Sequence, residues 1–297
     1  MSLLETVAEP APADDSRPGT WHRFWRTPAA VAAGALVGFF LLVALLAPVL
    51  APHGVADADL SRVRPGFVPG PSAGHPLGLD NQGRDELSRL VYGARSSLVI
   101  AVGSVALGAV LGGLIGAVAG GFGGWAETVI MRLVDVLLAI PGLLFAVGLA
   151  ALLGPSLPSV MIAIGVAGVP VVARLLRSVI VVEREKPYVD AARAAGATRW
   201  RTVTRHILPN AVGPVLATVT LAMGSAVLTA AGLAFLGLGP SNPSVPEWGR
   251  MLSESEGLLQ TAPQLVFLPG VAIVLVVLGF NLLGDAVRAA VDPKDRQ

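Results

Sequence analysis

The sequence predicts an all-α polytopic membrane protein with six transmembrane helices. Three observations carry this. Of the 297 residues, 54% are hydrophobic and 14% charged, where a soluble domain carries about a quarter charged residues. Mean hydropathy is +0.70. Apolar runs long enough to cross a bilayer, which takes ~20 residues, recur along the chain between short polar segments. A formal net charge of +1 gives no reason to expect nucleic acid as a partner, whereas membrane lipid is expected. The absence of cysteine excludes disulfides, thiolate metal sites and a cysteine nucleophile.

Residues 1–27 are polar and rich in Pro, Ala and Asp, as in a flexible tail. Trp21, Phe24 and Trp25, interleaved with Arg23 and Arg26, mark a membrane interface. The first span is expected at 28–50, too long a run for a signal-peptide core. Residues 51–95 form a loop outside the membrane, rich in Pro, Gly and Asp up to residue 83. In its last part, Leu87, Leu90, Val91 and Ala94 recur at helical spacing, with Arg84, Asp85, Glu86 and Arg89 opposite. That pattern predicts an interfacial amphipathic helix leading into the next span. The core domain, 96–290, holds spans at about 96–119, 127–152, 157–181, 208–236 and 264–287, and residues 291–297 form a C-terminal tail.

Arginine and lysine set the orientation. With both termini inside, six of the 21 basic residues lie outside: Arg62, Arg64, Arg84, Arg89, Arg95 and Arg250. The rest lie on inner segments, so both termini are expected in the cytoplasm.

Within the second span, Gly108, Gly112, Gly116 and Gly120 recur every fourth residue. They cut a groove for close helix approach, either to a moving partner or in ordinary packing. Pro141-Gly142 and Pro170 interrupt the third and fourth spans and predict bends. Asp135, Asn281 and Asp285 sit toward inner span ends. With Pro141 they are candidates for a pathway or gate. The competing reading pairs Asp135 with Arg132 and Asp285 with Arg288, each one helical turn away.

Between the fourth and fifth spans stands the charged, alanine-rich stretch 183–209, including DAARAAGATRWRTVTRHILPN. Pro187 suits a helix start, Gly196 a left-handed cap, Thr198 a second N-cap and Pro209 the first turn of the next span. Trp200 and Val203 share one side of the second helix. The product is a helix–turn–helix elbow, either gripped by a partner or packed on its own bundle. Short helices are marginal alone, and small side chains admit a partner's groove.

This stretch resembles the EAA loop of permease subunits in bacterial ABC importers. The pattern matches at Asp190, Ala191, Ala192 and Gly196, and at Leu208 and Pro209. Asp190 stands where the family has Glu. His206 holds the usual Ile position, with Ile207 one place later. HPLGLDNQGRDELSRLVYGARSSL (75–98), RLVDVLLAIPGLL (132–144), LAFLGLG (233–239), PEWGRML (246–252) and FNLLGDAVRAAVDP (280–293) extend the resemblance to the second, C-type permease subunit of dipeptide, oligopeptide and nickel importers.

That resemblance implies a type I importer permease fold in the bacterial cell membrane, with Asp190, Ala191, Ala192, Gly196, Trp200, Leu208 and Pro209 docking an ATPase. The implied partners are a homologous second permease, two ABC ATPase subunits or one fused chain, and an extracytoplasmic binding protein that delivers a peptide. A nickel chelate or another small solute is the alternative cargo. ATP and Mg would be bound by the ATPases and no cofactor by this chain, which has no phosphate loop. No nucleophile–base constellation argues for an enzyme, and the four histidines, His22, His53, His75 and His206, lack metal-site spacing. A channel or secondary transporter working without ATPases would predict charged, broken helices at mid-membrane and no docking elbow.

Overall fold

The computed structural model describes residues 27–64 and 67–291. The expected interfacial aromatics of the N-terminal tail and the tail 292–297 lie outside the described residues. Among the described residues the chain is helical, with only isolated β-bridges in the loop after the first span. In order come α1 (Pro28–Leu45), α2 (Ala47–Leu50), α3 (Glu86–Phe122), α4 (Gly124–Leu138), α5 (Gly142–Leu153) and α6 (Leu157–Glu183). They are followed by α7 (Pro187–Ala194), α8 (Arg199–Thr202), a π turn (Val203–Ile207), α9 (Leu208–Phe235), α10 (Trp248–Ser255) and α11 (Gln264–Val291).

Five helical stretches are long and apolar enough to cross a membrane, and α4 with α5 makes a sixth if the bent pair is one span. The third span, expected at 127–152 with an interruption at Pro141-Gly142, is broken into two helices there. Its halves meet at 86°. Pro141 cannot donate an N–H and disfavours helical backbone at Ile140, so the helix stops short of it and restarts at Gly142. Pro170, by contrast, stays inside an unbroken α6. The first span breaks at Leu46, just before Ala47-Pro48.

The interfacial amphipathic helix is corrected more sharply. Residues 86–95 are the first turns of α3 itself, a 37-residue helix. At 1.5 Å per residue it is ~55 Å long, well beyond the ~30 Å hydrocarbon layer. Its charged face does not meet water. Arg84, Asp85, Glu86 and Arg89 are all buried, none above 3% exposed. For Arg84 and Arg89 the reason is a second element packed over them. Glu254 on α10 accepts from Arg84 Nη2 and Arg89 Nη2 at 2.7 Å each and from Arg250 Nε at 2.8 Å. Asp80 accepts from Arg84 Nε at 2.6 Å and lies 3.3 Å from Arg89 Nε. Trp248, 1% exposed, donates Nε1–H to Leu90 O at 3.0 Å and fills the space over Gly93. Glu247 caps α10 by accepting from Arg250 N and also accepts from Ser97 Oγ. α10 is thus clamped onto α3 by charges that pair with one another, the condition for burying charge at all.

The centre of the bundle is a seam between α3 and α6. A Cβ on Gly108 would lie 2.9 Å from Gly165 O, on Gly112 2.6 Å from Val169 O, and on Gly116 2.6 Å from Ala173 O. On Gly120 it would lie 2.9 Å from Ile180 Cβ. Contacts advance by four residues on both helices together, so α3 and α6 run parallel with backbone against backbone. Gly165 reciprocates, its own missing Cβ 2.9 Å from Ser104 O. The glycine face therefore belongs to packing inside this chain. α1, α9 and α11 complete the main core, with Phe40, Leu98, Ala230, Val276 and Phe280 among its buried residues.

Two outcomes test this packing. Gly112→Ala should cost about 1–3 kcal/mol by overpacking, read as a lower melting temperature in detergent, while Gly113→Ala, whose Cβ meets nothing within 4 Å, should be neutral. Glu254→Gln should cost roughly 3 kcal/mol, because it leaves buried arginines under-compensated. Burial pushes the Glu254 carboxyl up, but Arg89, Arg84 and Arg250 outweigh it and hold it below the usual carboxylate range. The folded state thus binds this proton less readily than the unfolded chain. The stabilisation is present above the unfolded pKa and is lost as pH falls through the folded one. Melting of the wild type should therefore drop in acid, and the drop should be smaller in Glu254→Gln.

Candidate functional site

The elbow 183–209 is built by local rules from its first residue. Lys186 has extended backbone and Pro187 opens α7. The end of α7 is a Schellman motif: Gly196 N–H donates to Arg193 O at 2.9 Å and Ala197 N–H to Ala192 O at 3.1 Å. Gly196 makes this possible at φ +84°. Thr198 then accepts from Arg201 N at 3.3 Å and starts α8. The π turn Val203–Ile207 joins α8 to α9 without a gap. Ile207 is fully buried there and His206 half-buried. The burial expected of the Ile position has moved one residue on.

One side of the elbow is anchored. Val189, Val203 and Ile207 share a small core with Ala117, Leu176, Ile180 and Ala211. Buried Glu183 accepts from Tyr188 Oη at 2.6 Å and from Lys186 Nζ at 2.5 Å. Asn210 donates to Tyr188 Oη at 3.3 Å and to His206 O at 2.9 Å. Burial and the hydrogen bond it donates to Glu183 both push the Tyr188 hydroxyl up, keeping it a donor. Arg184 Nη1 donates to Gly120 O at 2.8 Å and Arg199 Nη1 to Phe122 O at 3.2 Å. Two cations thus cover the last carbonyls of α3, where helix ends lack backbone donors and carry negative potential.

The other side is open. Asp190, Ala191, Arg193, Ala194, Ala195 and Gly196 are exposed, and Ala192 is half-buried. Asp190 is 72% exposed at its side chain and reaches only Arg193, at 3.4 Å. Trp200, half exposed, stacks on Phe122 with ring centroids 6.3 Å apart. Leu208 packs against the small core and Pro209 is exposed. The elbow is a small-residue ledge, rigidly backed and free on its outer face.

The pathway candidates separate. Asn281 lines a cavity of about 480 Å³ between α3, α5, α6, α9 and α11, as do Gly108 and Gly142. Pro141, the N-cap of α5, precedes Gly142 but is not itself among the lining residues. Asp135 does not line it. Its partner is Arg174 of α6 rather than the expected Arg132, because α4 lies across α6 and presents Asp135 there. Arg177 similarly binds Glu127, with Nε at 2.6 Å. Asp285 also lies off the cavity, is exposed, and forms no ion pair with Arg288 among the described residues. Ser104, Thr218, Ser225 and Thr229 line the cavity and were not singled out in the sequence. Isolated hydroxyls in apolar spans carry little signal. Ser104, Thr218 and Thr229 donate back to the carbonyl four residues earlier, which leaves oxygen lone pairs on the wall.

At the opposite end, His53, His75 and Asp85 come together although their sequence spacing gives no hint of it.

Comparison with known proteins agrees with this architecture. Residues 96–297 match the family model described as binding-protein-dependent transport system inner membrane component. Residues 19–65 match the N-terminal TM domain of oligopeptide transport permease C. The chain is 43% identical over 259 residues to the dipeptide transport system permease protein DppC of Alkalihalophilus pseudofirmus, covering 87% of this chain and 84% of that one. It is 42% identical to the di/tripeptide transport system permease protein DppC of Pseudomonas aeruginosa, covering 96% of each. It is 41% identical to the glutathione transport system permease protein GsiD of Pectobacterium atrosepticum, covering 92% of this chain and 90% of that one. Among solved structures, a chain of the MetNI methionine ABC transporter in inward-facing conformations shares the fold. Its TM-score is 0.57 at 20% identity, over 69% of this chain and 96% of that one. With its membrane-spanning helices, its elbow and these matches, the chain belongs to the family of binding-protein-dependent transport system inner membrane components, as a permease subunit.

Proposed function

We propose that this permease subunit forms half of the translocation pathway of an ATP-driven importer of di- or oligopeptides. The observation that carries the reading is the elbow, a ledge of small residues backed by buried contacts and open on its outer face. The names of its relatives support peptide as the cargo. Both termini and the elbow lie in the cytoplasm, as the arginine distribution argues. Asp190, Ala191, Ala192, Gly196, Trp200, Leu208 and Pro209 form or support the surface that two ATPase subunits, or one fused chain, would grip. A homologous second permease would supply the other half of the pathway, and an extracytoplasmic binding protein would present the peptide. ATP and Mg would belong to the ATPases, and this chain would be non-catalytic, with no cofactor of its own taking part in transport.

The mechanism follows from how the elbow is attached. Its backing residues pack on α3, α6 and α9, the helices that also wall the cavity. Moving the elbow therefore moves the cavity wall as a rigid body, an alternating-access motion. ATP drives it only by binding one arrangement better than the other. Gly108, Asn281 and the bend at Pro141 would border the substrate path. Asp135 and Asp285, off the cavity, fit a gate better than a substrate contact.

Uptake of a labelled dipeptide into a host lacking its own copy of this subunit tests the reading. Restoration by the wild-type chain is expected, and uptake that needs no ATPase would sink it. Gly196→Val should reduce uptake at least roughly tenfold at normal membrane levels, since a β-branched residue at positive φ costs about 1–2 kcal/mol or more and breaks the Schellman turn. Asp190→Lys should reduce the ATPase that co-purifies with the permease. Unchanged co-purification would remove Asp190 from the docking surface.

A further inference from the structure

The ends of three segments meet beside the N-terminus of α3. His53 follows α2, His75 lies in the long loop, and Asp85 is the N-cap of α3. One donor atom from each lies within 4.8 Å of the other two. His75 Nδ1 is 2.9 Å from Asp85 Oδ1, and His53 Nδ1 is 3.7 Å from the same oxygen. The rings stack with centroids 4.4 Å apart. Asp85 is almost fully buried, and its second oxygen, Oδ2, accepts from Ser88 N at 2.8 Å and Ser88 Oγ at 2.7 Å. Ser88 Oγ in turn accepts the backbone N–H of His53 at 3.1 Å.

Two imidazoles aimed at one carboxylate oxygen are more than a hydrogen bond needs. His75 can satisfy Asp85 Oδ1 by itself. His53 Nδ1 is then a buried nitrogen with no hydrogen-bond partner among the described residues, a costly arrangement unless something joins it. We propose that His53, His75 and Asp85 form a binding site for a divalent transition-metal ion of the zinc class, fastening the loop after the first span to the N-terminus of α3. Metal–ligand bonds of about 2.0–2.2 Å put tetrahedral ligand atoms roughly 3.3 Å apart. The two distances to Asp85 Oδ1, 2.9 and 3.7 Å, bracket that value. Two nitrogens and one carboxylate suit zinc and its neighbours better than the all-oxygen preference of calcium or magnesium. Ser88 supplies the outer hydrogen bonds that orient the carboxylate.

On binding, the metal takes the place of the proton on His75 Nδ1. A neutral ring stays neutral by changing tautomer: the Nδ1 proton passes to water, Nε2 takes one up from water, and the Nδ1 lone pair is freed for the metal. His53 is the most exposed of the three, its side chain 36% accessible. The fourth coordination position therefore opens on its side, toward water. The segments joined this way also carry Asp80 and Arg84, so the ion would brace the charged clamp that holds α10. The inference does not depend on which cargo the importer carries.

The test uses the full-length chain on an affinity tag without histidine, stripped with EDTA and titrated with Zn²⁺ alone. Bound metal is measured by elemental mass spectrometry after desalting. The wild type should hold one zinc per chain and melt at a higher temperature with zinc than without. His53→Ala, at a half-exposed position, and Asp85→Asn, which keeps an N-cap acceptor, should each bind zinc at least roughly tenfold more weakly. Co²⁺ in place of zinc should give the visible absorption of a low-coordinate nitrogen–oxygen site in the wild type. That readout needs no variant and so does not depend on the variants' folding. Wild-type protein with no zinc and no cobalt spectrum would overturn the site. Equal zinc in the wild type and both variants would overturn it as well, by placing the metal elsewhere.

Discussion

Everything in this bundle hangs on the distance between two helix backbones. Within lipid, apolar side chains gain little by leaving hydrocarbon for one another, so helices associate through close packing. α3 and α6 approach until carbonyls of α6 occupy the positions where side chains of α3 would begin. No residue larger than glycine fits at Gly112 or Gly116 without moving a backbone. Because the seam is nearly as long as α6, it fixes two distant regions relative to each other. Gly108 borders the cavity, and Gly120 lies beside the residues that receive the elbow.

The two ends of the seam are finished by opposite chemistry. At one end Arg84 and Arg89, at the start of α3, are buried beneath α10, with Glu254 shared among three arginines. Such a cluster is stable only while every member is present, and it admits few alternative arrangements of α10. At the other end charge is used at the surface. Arg184 and Arg199 cover the last carbonyls of α3, while Asp190 and Arg193 remain with water. Permanence suits the first end, and a surface ready for a partner suits the second.

Between the ends, α4 and α5 supply what the parallel pair cannot. The 86° break at Pro141 swings α5 against α6 and brings Gly142 and Ala146 to the cavity, while α4 crosses α6 with Asp135 and Glu127 paired to its arginines. The cavity wall is thus mostly apolar, interrupted by hydroxyls and one amide. Such a lining can pass a peptide backbone without holding it tightly. Its selectivity would come from whatever delivers the cargo.

The apolar runs, the glycine period, the elbow's turn chemistry and the family's motifs were all legible in the sequence. Each depends on neighbours within a few residues: a Schellman turn needs glycine at one place, and a span needs some twenty apolar residues in a row. Helix type, the position of the elbow and most helix ends followed from these alone, the start of α3 excepted. The environment of each charge did not. Arg84 and Arg89 have the spacing of a solvated face, yet Glu254 of α10, 170 and 165 residues later, covers them. Asp135 has a basic residue one turn away, yet meets Arg174. His53, His75 and Asp85 share no recognisable spacing, yet three chain segments converge on them. Whether a charge faces water or an opposite charge depends on which distant element packs over it. Local periodicity does not contain that information, and only the tertiary structure decided it.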